Sequence, residues 1–276
     1  MQKRYIGLII VFSLLMILFS CNEAELNPED QHNVALYSET GAWDESLTAL
    51  KHMFEWMDMK VKQIEAEFVN NNSLEEFDII CFPGGNMYQY SQNLSKEGLN
   101  KLKNYVEKGG NYIGICGGAY FAAEEIIWLG RRLPMPTLGL FAGSAQGAID
   151  DIVPYPQLDM CEVVLTDSTH PITKDIPKNQ WILYYWGPAL KTSDPQIQIL
   201  GKYAAVDLPA ILAFEYGEGK VFLAGTHPEI EEDSQRDGVI LPDTTINNVH
   251  YLGEEYLEER GSDWIMMKNA VEWLLE

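Results

Sequence analysis

Apolar and polar positions alternate in blocks along most of this chain, and the blocks change period. A short apolar run, Val34 to Tyr37, is followed by Trp43, Leu47, Leu50, Phe54 and Met57 at spacings of 4, 3, 4 and 3. That spacing puts one apolar stripe on one face of a helix. Val61 to Phe68 alternates as a second strand, and Ile79 to Phe82 is a continuous apolar strand running into Pro83-Gly84-Gly85. Ser95 is placed to cap the next helix, with Leu99, Leu102 and Val106 inward and Gly109-Gly110 as the stop. Tyr112 to Ile115 then forms another buried strand. Strands alternating with amphipathic helices predict βαβ units and a mainly parallel sheet with helices on both faces.

The second half is richer in strands: Val163 to Thr166, Trp181 to Tyr185, Ile197 to Leu200, Ala210 to Phe214 and Lys220 to Ala224, the last after a Gly217-Glu218-Gly219 turn. An acidic stretch, Glu229 to Gly261, leads to a final helix capped near Ser262 with Trp264, Ile265, Val271 and Leu274 inward. No internal repeat or second linker interrupts residues 34–276, which predicts one domain there. His32, His52 and His250 lack a partner pattern and are expected at the surface. The run Glu229, Glu231, Glu232, Asp233 is expected as a solvated loop rather than a cation site.

The N-terminus reads differently. Lys3 and Arg4 precede an uncharged run from Ile6 to Phe19, which is too short to span a bilayer comfortably and suits a signal-peptide core. Leu18-Phe19-Ser20-Cys21 resembles the bacterial lipobox. That resemblance implies a signal peptide over 1–20, lipid on Cys21, a flexible tether over 21–33, and a protein held at the cell envelope by lipid alone. An ordinary signal peptide, or an uncleaved anchor, with an incidental Cys21 is the alternative.

Charge narrows the partners. With 41 acidic and 19 basic residues the formal net charge is −22, and no basic stripe offsets it, so nucleic acid and anionic headgroups are repelled. With Cys21 assigned to lipid, Cys81, Cys116 and Cys161 remain. An odd number leaves at least one thiol unpaired within the chain. No Cys-x-x-Cys or His-x-x-x-His spacing supports a structural zinc site, and no metal or cofactor is expected. Cys81 and Cys161 read as core residues, although a Cys81–Cys116 disulfide would silence the site described next.

Three separated segments fit one chemistry. In Gly114-Ile115-Cys116-Gly117-Gly118, glycines flank a Cys delivered by a strand onto a sharp turn before Ala-rich sequence. Such a turn exposes the central side chain as a nucleophile elbow does. In Gly225-Thr226-His227-Pro228-Glu229, a carboxylate two residues beyond a His can hold one imidazole nitrogen and leave the other for a thiol. In Pro83-Gly84-Gly85-Asn86, unobstructed N–H groups, with that of Gly117, can hold an oxyanion. A helix N-terminus near Gly117 and a cationic His227 both favour a thiolate. Read singly, Cys116 is a small buried hydrophobe and His-Pro a turn; the three together, in this order, predict one pocket.

Gly-x-Cys-x-Gly with a downstream His-Pro-Glu resembles the class I glutamine amidotransferase superfamily. The resemblance implies a flavodoxin-like sheet, Cys116 as nucleophile, His227 as base and Glu229 as its orienter. Within the superfamily the chain is most similar to the biotin–protein ligase N-terminal type, on Phe-Pro-Gly-Gly-Asn at 82–86, Tyr-Ile-Gly-Ile-Cys-Gly-Gly-Ala-Tyr at 112–120, Leu-Phe-Ala-Gly-Ser-Ala at 140–145, His-Pro-Ile at 170–172 and Tyr-Trp-Gly-Pro at 185–188. Amidotransferases carry a larger residue where this chain has Gly117, and their glutamine-recognition segments are not evident. In a protease branch of the superfamily an acid near the first strand activates the Cys, a place Glu39 can take. Gly84, Gly85, Asn86, Gly117, Gly118, Tyr120 and Trp186 complete the expected pocket, whose substrate is a small amide or peptide-like molecule. Two functions follow: a thiol hydrolase or amidase, or a catalytically silent lipoprotein that uses the same pocket to bind a ligand or partner.

Overall fold

The computed structural model describes residues 31–231, 235–257 and 260–276. The signal-peptide segment, Cys21, most of the tether, and Glu232 and Asp233 of the acidic run lie outside the described residues.

The first half winds as β1 (Asn33–Tyr37), α1 (Asp44–Trp56), β2 (Lys60–Ile64), α2 (Ala66–Asn71), β3 (Ile79–Phe82), α3 (Met87–Asn93), α4 (Lys96–Glu107), β4 (Asn111–Ile115) and α5 (Gly117–Ala122). The apolar runs of β1, β3 and β4 become strands because both of their faces are covered. Alternate residues sort between two cores. Val34, Leu36, Ile79, Cys81, Ile113 and Ile115 face α1 and the C-terminal helix, while Ala35, Tyr37, Ile80, Phe82 and Tyr112 face the side of α2, α4 and α5. Ser95 caps α4 as expected, its Oγ accepting from Gly98 N at 3.0 Å.

The second half adds β5 (Ala123–Trp128), β6 (Arg131–Arg132), β7 (Phe141–Gly147), β8 (Asp159–Leu165), β9 (Asn179–Tyr184), β10 (Ala189–Thr192), β11 (Gln198–Tyr203), β12 (Leu208–Tyr216), β13 (Gly219–Ala224) and α6 (Trp264–Leu275). Nine strands form one sheet in the order β2-β1-β3-β4-β13-β12-β11-β8-β9. The sheet is mixed: β2 through β13 run parallel, and β12, β11, β8 and β9 continue it antiparallel. A second sheet, β10-β7-β5-β6, comes from segments that had no expected structure.

This topology places the site. Strands β3, β4 and β13 are parallel neighbours, with Phe82 opposite Gly114 and Ala224 opposite Ile115. Their carboxyl ends therefore share one edge, where α/β sheets bind ligands. The chain leaves that edge at Pro83, Cys116 and Gly225.

Several expectations need correction. The strand from Val61 stops at Ile64, and Phe68 belongs to α2, whose Ala66 and Val69 pack inward. Ile265 is 47% exposed, because Met266, Met267 and Ala270 take the inward face of α6 instead. Asn33 is already in β1, so the sheet starts within the expected tether. The acidic run is no solvated loop where it is described: Glu229 and Glu231 are buried, and Glu231 accepts from Arg236 Nε at 2.9 Å.

Candidate active site

At the end of β4 the backbone turns at Cys116 with φ 45° and ψ −97°, and α5 begins at the next residue. A non-glycine residue at positive φ is strained, and such strain concentrates at functional turns. The turn closes because its neighbours are bare. A Cβ on Gly117 would collide with Gly85 O, and one on Gly118 with Phe82 O. Gly118 N is committed to Pro83 O at 3.0 Å. Among the described residues, neither Gly85 N nor Gly117 N donates to another group, and the two glycines are packed against each other.

His227 leaves β13 and is 1% exposed. Its Nδ1 lies 2.9 Å from Glu229 Oε1. The same oxygen accepts from Ser46 Oγ at 2.5 Å, and Ser46 Oγ in turn accepts from Gly84 N at 2.9 Å. Glu229 is fully buried, and its own backbone carbonyl accepts from Trp264 Nε1 at 2.8 Å. A carboxylate so enclosed needs a cation beside it. Burial alone would push the imidazole of His227 down, but the neighbouring Cys116 and then Glu229 outweigh it and lift the group to about 10. His227 Nε2 is buried and makes no ordinary hydrogen bond; its neighbour is the Cys116 thiol. That thiol donates instead to Tyr185 O at 3.4 Å.

Cys116 and His227 open on a cavity of about 710 Å³. Gly85, Asn86, Tyr120 and Trp186 line it, together with Trp43, Gln89, Trp128, Tyr155 and Tyr185. Tyr120 donates its OH to Trp186 O at 2.9 Å, and Asn86 Oδ1 caps α3 by accepting from Tyr88 N at 3.1 Å. Gly84 does not line the cavity; a Cβ there would strike His227 Cε1, so its bareness makes room for the imidazole. Glu39, the acid expected near the first strand, is not among the residues that line the cavity. Its carboxylate accepts from Thr40 N at 2.8 Å, while Glu229 holds Nδ1 of His227. Gly118 likewise offers no donor to the pocket. Cys81, Cys116 and Cys161 are all free thiols, and burial pushes those of Cys81 and Cys161 up, as core residues.

Sequence reading missed Ser46, Trp43 and Tyr185. Ser46 carried a signal, because with Ala49, Leu50 and Met53 it falls on the buried face of α1, where a hydroxyl needs a partner. Trp43 packs edge-on against His227 at 4.9 Å between ring centres, and Tyr185 contributes a backbone carbonyl that no side-chain pattern announces.

The family model described as biotin–protein ligase, N terminal, matches residues 32–255. An uncharacterized protein of Chlamydia muridarum is 27% identical over 218 residues, covering 72% of this chain and 81% of that protein. A biotin–protein ligase of Schizosaccharomyces pombe is 23% identical over 222 residues, covering 73% of this chain and 34% of the ligase, so the chain spans about a third of that relative's length. Among solved structures, a glutamine amidotransferase of Thermotoga maritima superposes with a TM-score of 0.52 at 12% identity, over 75% of this chain and 80% of that one. A ThuA-like protein of Bacteroides uniformis gives 0.53 at 12% identity, over 88% and 91%. These structures share the fold.

Proposed function

Because the chain belongs to the biotin–protein ligase N-terminal family and has a class I glutamine amidotransferase-like fold, we propose that it is a cysteine-dependent hydrolase or amidase of small amide or peptide-like substrates. The observation that carries this is the line Ser46, Glu229, His227, in which each buried polar group bonds the next, and which ends beside the Cys116 sulfur where both open on a cavity.

The proton of the Cys116 thiol passes to His227, leaving a thiolate beside an imidazolium. The sulfur lone pair forms a bond to the substrate carbonyl carbon, and the carbonyl π electrons move onto oxygen. Gly85 N and Gly117 N, which bind nothing else among the described residues, receive that oxyanion. As the oxyanion collapses, the carbon–nitrogen bond breaks and the amine leaves with the proton from His227. Water, deprotonated by His227, then attacks the thioester and releases the acid, and the proton returns to sulfur. Glu229 stabilises the imidazolium and keeps Nδ1 protonated, so that Nε2 carries the traffic.

A second reading, a silent binding module, draws support from the thiol's hydrogen bond to Tyr185 O rather than to His227. Exposure to p-nitrophenyl acetate separates the two. A burst of one equivalent of p-nitrophenol with an acetyl group on Cys116, absent in Cys116→Ala, supports the hydrolase; no adduct supports the module. The lipobox-like segment supports a location at the cell envelope, tethered through Cys21.

A further inference from the structure

The walls of the cavity carry information about its substrate that the triad does not. Aromatic rings form an unbroken series around it. Tyr120 meets Trp128 at 5.9 Å, Trp128 meets Tyr155 at 6.0 Å, Tyr155 meets Trp186 at 4.9 Å, and Trp186 meets Tyr185 at 4.5 Å between ring centres. Tyr185 then meets Trp43 at 5.1 Å, which abuts His227. Trp186 adopts φ 60°, an unfavourable conformation for a bulky residue. It is held there by Tyr120 OH on its carbonyl and by its own Nε1 donating to Gln157 O at 3.1 Å.

Apart from His227, charged side-chain types are absent from the same walls among the described residues. Among the described residues that line the cavity there is no Asp, Glu, Lys or Arg, the imidazole of His227 is already held by Glu229, and the amides of Asn86 and Gln89 are left for polar recognition. A free amino acid amide such as glutamine brings an ammonium and a carboxylate; the ammonium would lose water here with no acidic side chain to meet it, and the cation the carboxylate would need, His227, is already paired with Glu229. The net charge of −22 further disfavours anionic substrates.

Resting on the hydrolase reading, we propose that this cavity takes an uncharged amide or ester carrying a flat aromatic group, which stacks on the wall formed by Trp128, Tyr155 and Trp186, and that it excludes free glutamine. The ring of the substrate lies against that wall while its carbonyl reaches Cys116, and Asn86 and Gln89 supply hydrogen bonds without charge.

Two measurements on the full-length chain test this. In the first, Cys116 is alkylated with N-benzyliodoacetamide and with iodoacetamide, which differ by the ring. The ratio of their rates should reach about tenfold, the scale of one good stacking contact plus its burial, and fall to about threefold or less in Tyr155→Ala. Tyr155 is 41% exposed, so its truncation spares the fold; Trp128→Leu is the second variant. In the second, N-benzylacetamide or L-glutamine is added to Cys116→Ser while the tryptophan indole N–H resonances are followed. N-benzylacetamide should shift those of Trp128 and Trp186, and glutamine should shift neither. Equal alkylation rates, or indole shifts with glutamine, overturn the proposal. The two readings fail separately. A Cys116 inert to both electrophiles with N-benzylacetamide still bound removes the hydrolase and keeps the ligand class; a reactive Cys116 with no preference for the ring does the reverse.

Discussion

Ser46, in the first turn of α1, donates a 2.5 Å hydrogen bond to Glu229, 183 positions downstream, while its own oxygen accepts from Gly84 N. One hydroxyl thus ties the helix after β1, the turn after β3 and the carboxylate after β13 into a single frame around His227. Removing it in Ser46→Ala leaves the Gly84 N–H without its partner and frees one side of Glu229. A buried donor left unpaired costs about 1–3 kcal/mol. The melting temperature should fall accordingly. If Ser46 positions the relay, rather than only stabilising the fold, alkylation of Cys116 at neutral pH should slow more than in a control variant of equal stability.

The charge on His227 depends on the thiol beside it. Of the two influences that raise the imidazole, Cys116 is larger than Glu229. In an NMR titration the wild-type imidazole should stay cationic through neutral pH and lose its proton near 10, and in Cys116→Ser that midpoint should drop. The sign for stability follows from a raised folded value. The contribution of His227 itself is fully present below its ordinary 6.5 and is lost as pH rises through about 10. In Cys116→Ser that loss should finish at lower pH.

Gly84 is bare so that His227 can sit where it does. In Gly84→Ala the new methyl would press on the imidazole and come near Ser46 Oγ. Overpacking of this kind costs about 1–3 kcal/mol, and the imidazole is the group able to give way. The variant should fold with a lowered melting temperature and a slow Cys116, measured by alkylation at pH 7. Gly118→Ala presses instead on the carbonyl of Phe82, which is backbone in the central sheet, and should show a larger loss of stability.

The proposed lipid tether is tested on the cell. Growth with a clickable palmitate analogue should label the wild-type chain and leave Cys21→Ala unlabelled. Label that persists in Cys21→Ala would contradict lipidation at that residue.

Much of this arrangement was legible in the sequence, for a physical reason. The runs Val34 to Tyr37, Ile79 to Phe82 and Tyr112 to Ile115 are apolar on both faces, which only a covered strand accommodates, and the glycines after two of them mark where the backbone must turn tightly. Cys116, His227 and Glu229 follow from where parallel strands end. The second sheet was not legible, because β7 reads Phe-Ala-Gly-Ser-Ala-Gln-Gly and gains its partners β5 and β10 from distant segments rather than from its own alternation. Nor was the boundary at Ile64, where the polar strand Lys60–Ile64 and the short helix Ala66–Asn71 share an apolar spacing that either period can fit. Glu231 looked solvated because its partners, Arg236 and Ser262, become neighbours only when the acidic stretch folds back.

The central claim is that His227 makes Cys116 a nucleophile, and its most direct test is the rate at which iodoacetamide alkylates Cys116 at pH 6.5 in wild type and in His227→Ala. An ordinary thiol, with a pKa of about 8.5, is only about one per cent thiolate at that pH. The account predicts wild-type alkylation at least about tenfold faster than that thiolate fraction allows, with the excess abolished in His227→Ala. Equal rates in the two proteins, at the level of an ordinary thiol, would contradict it.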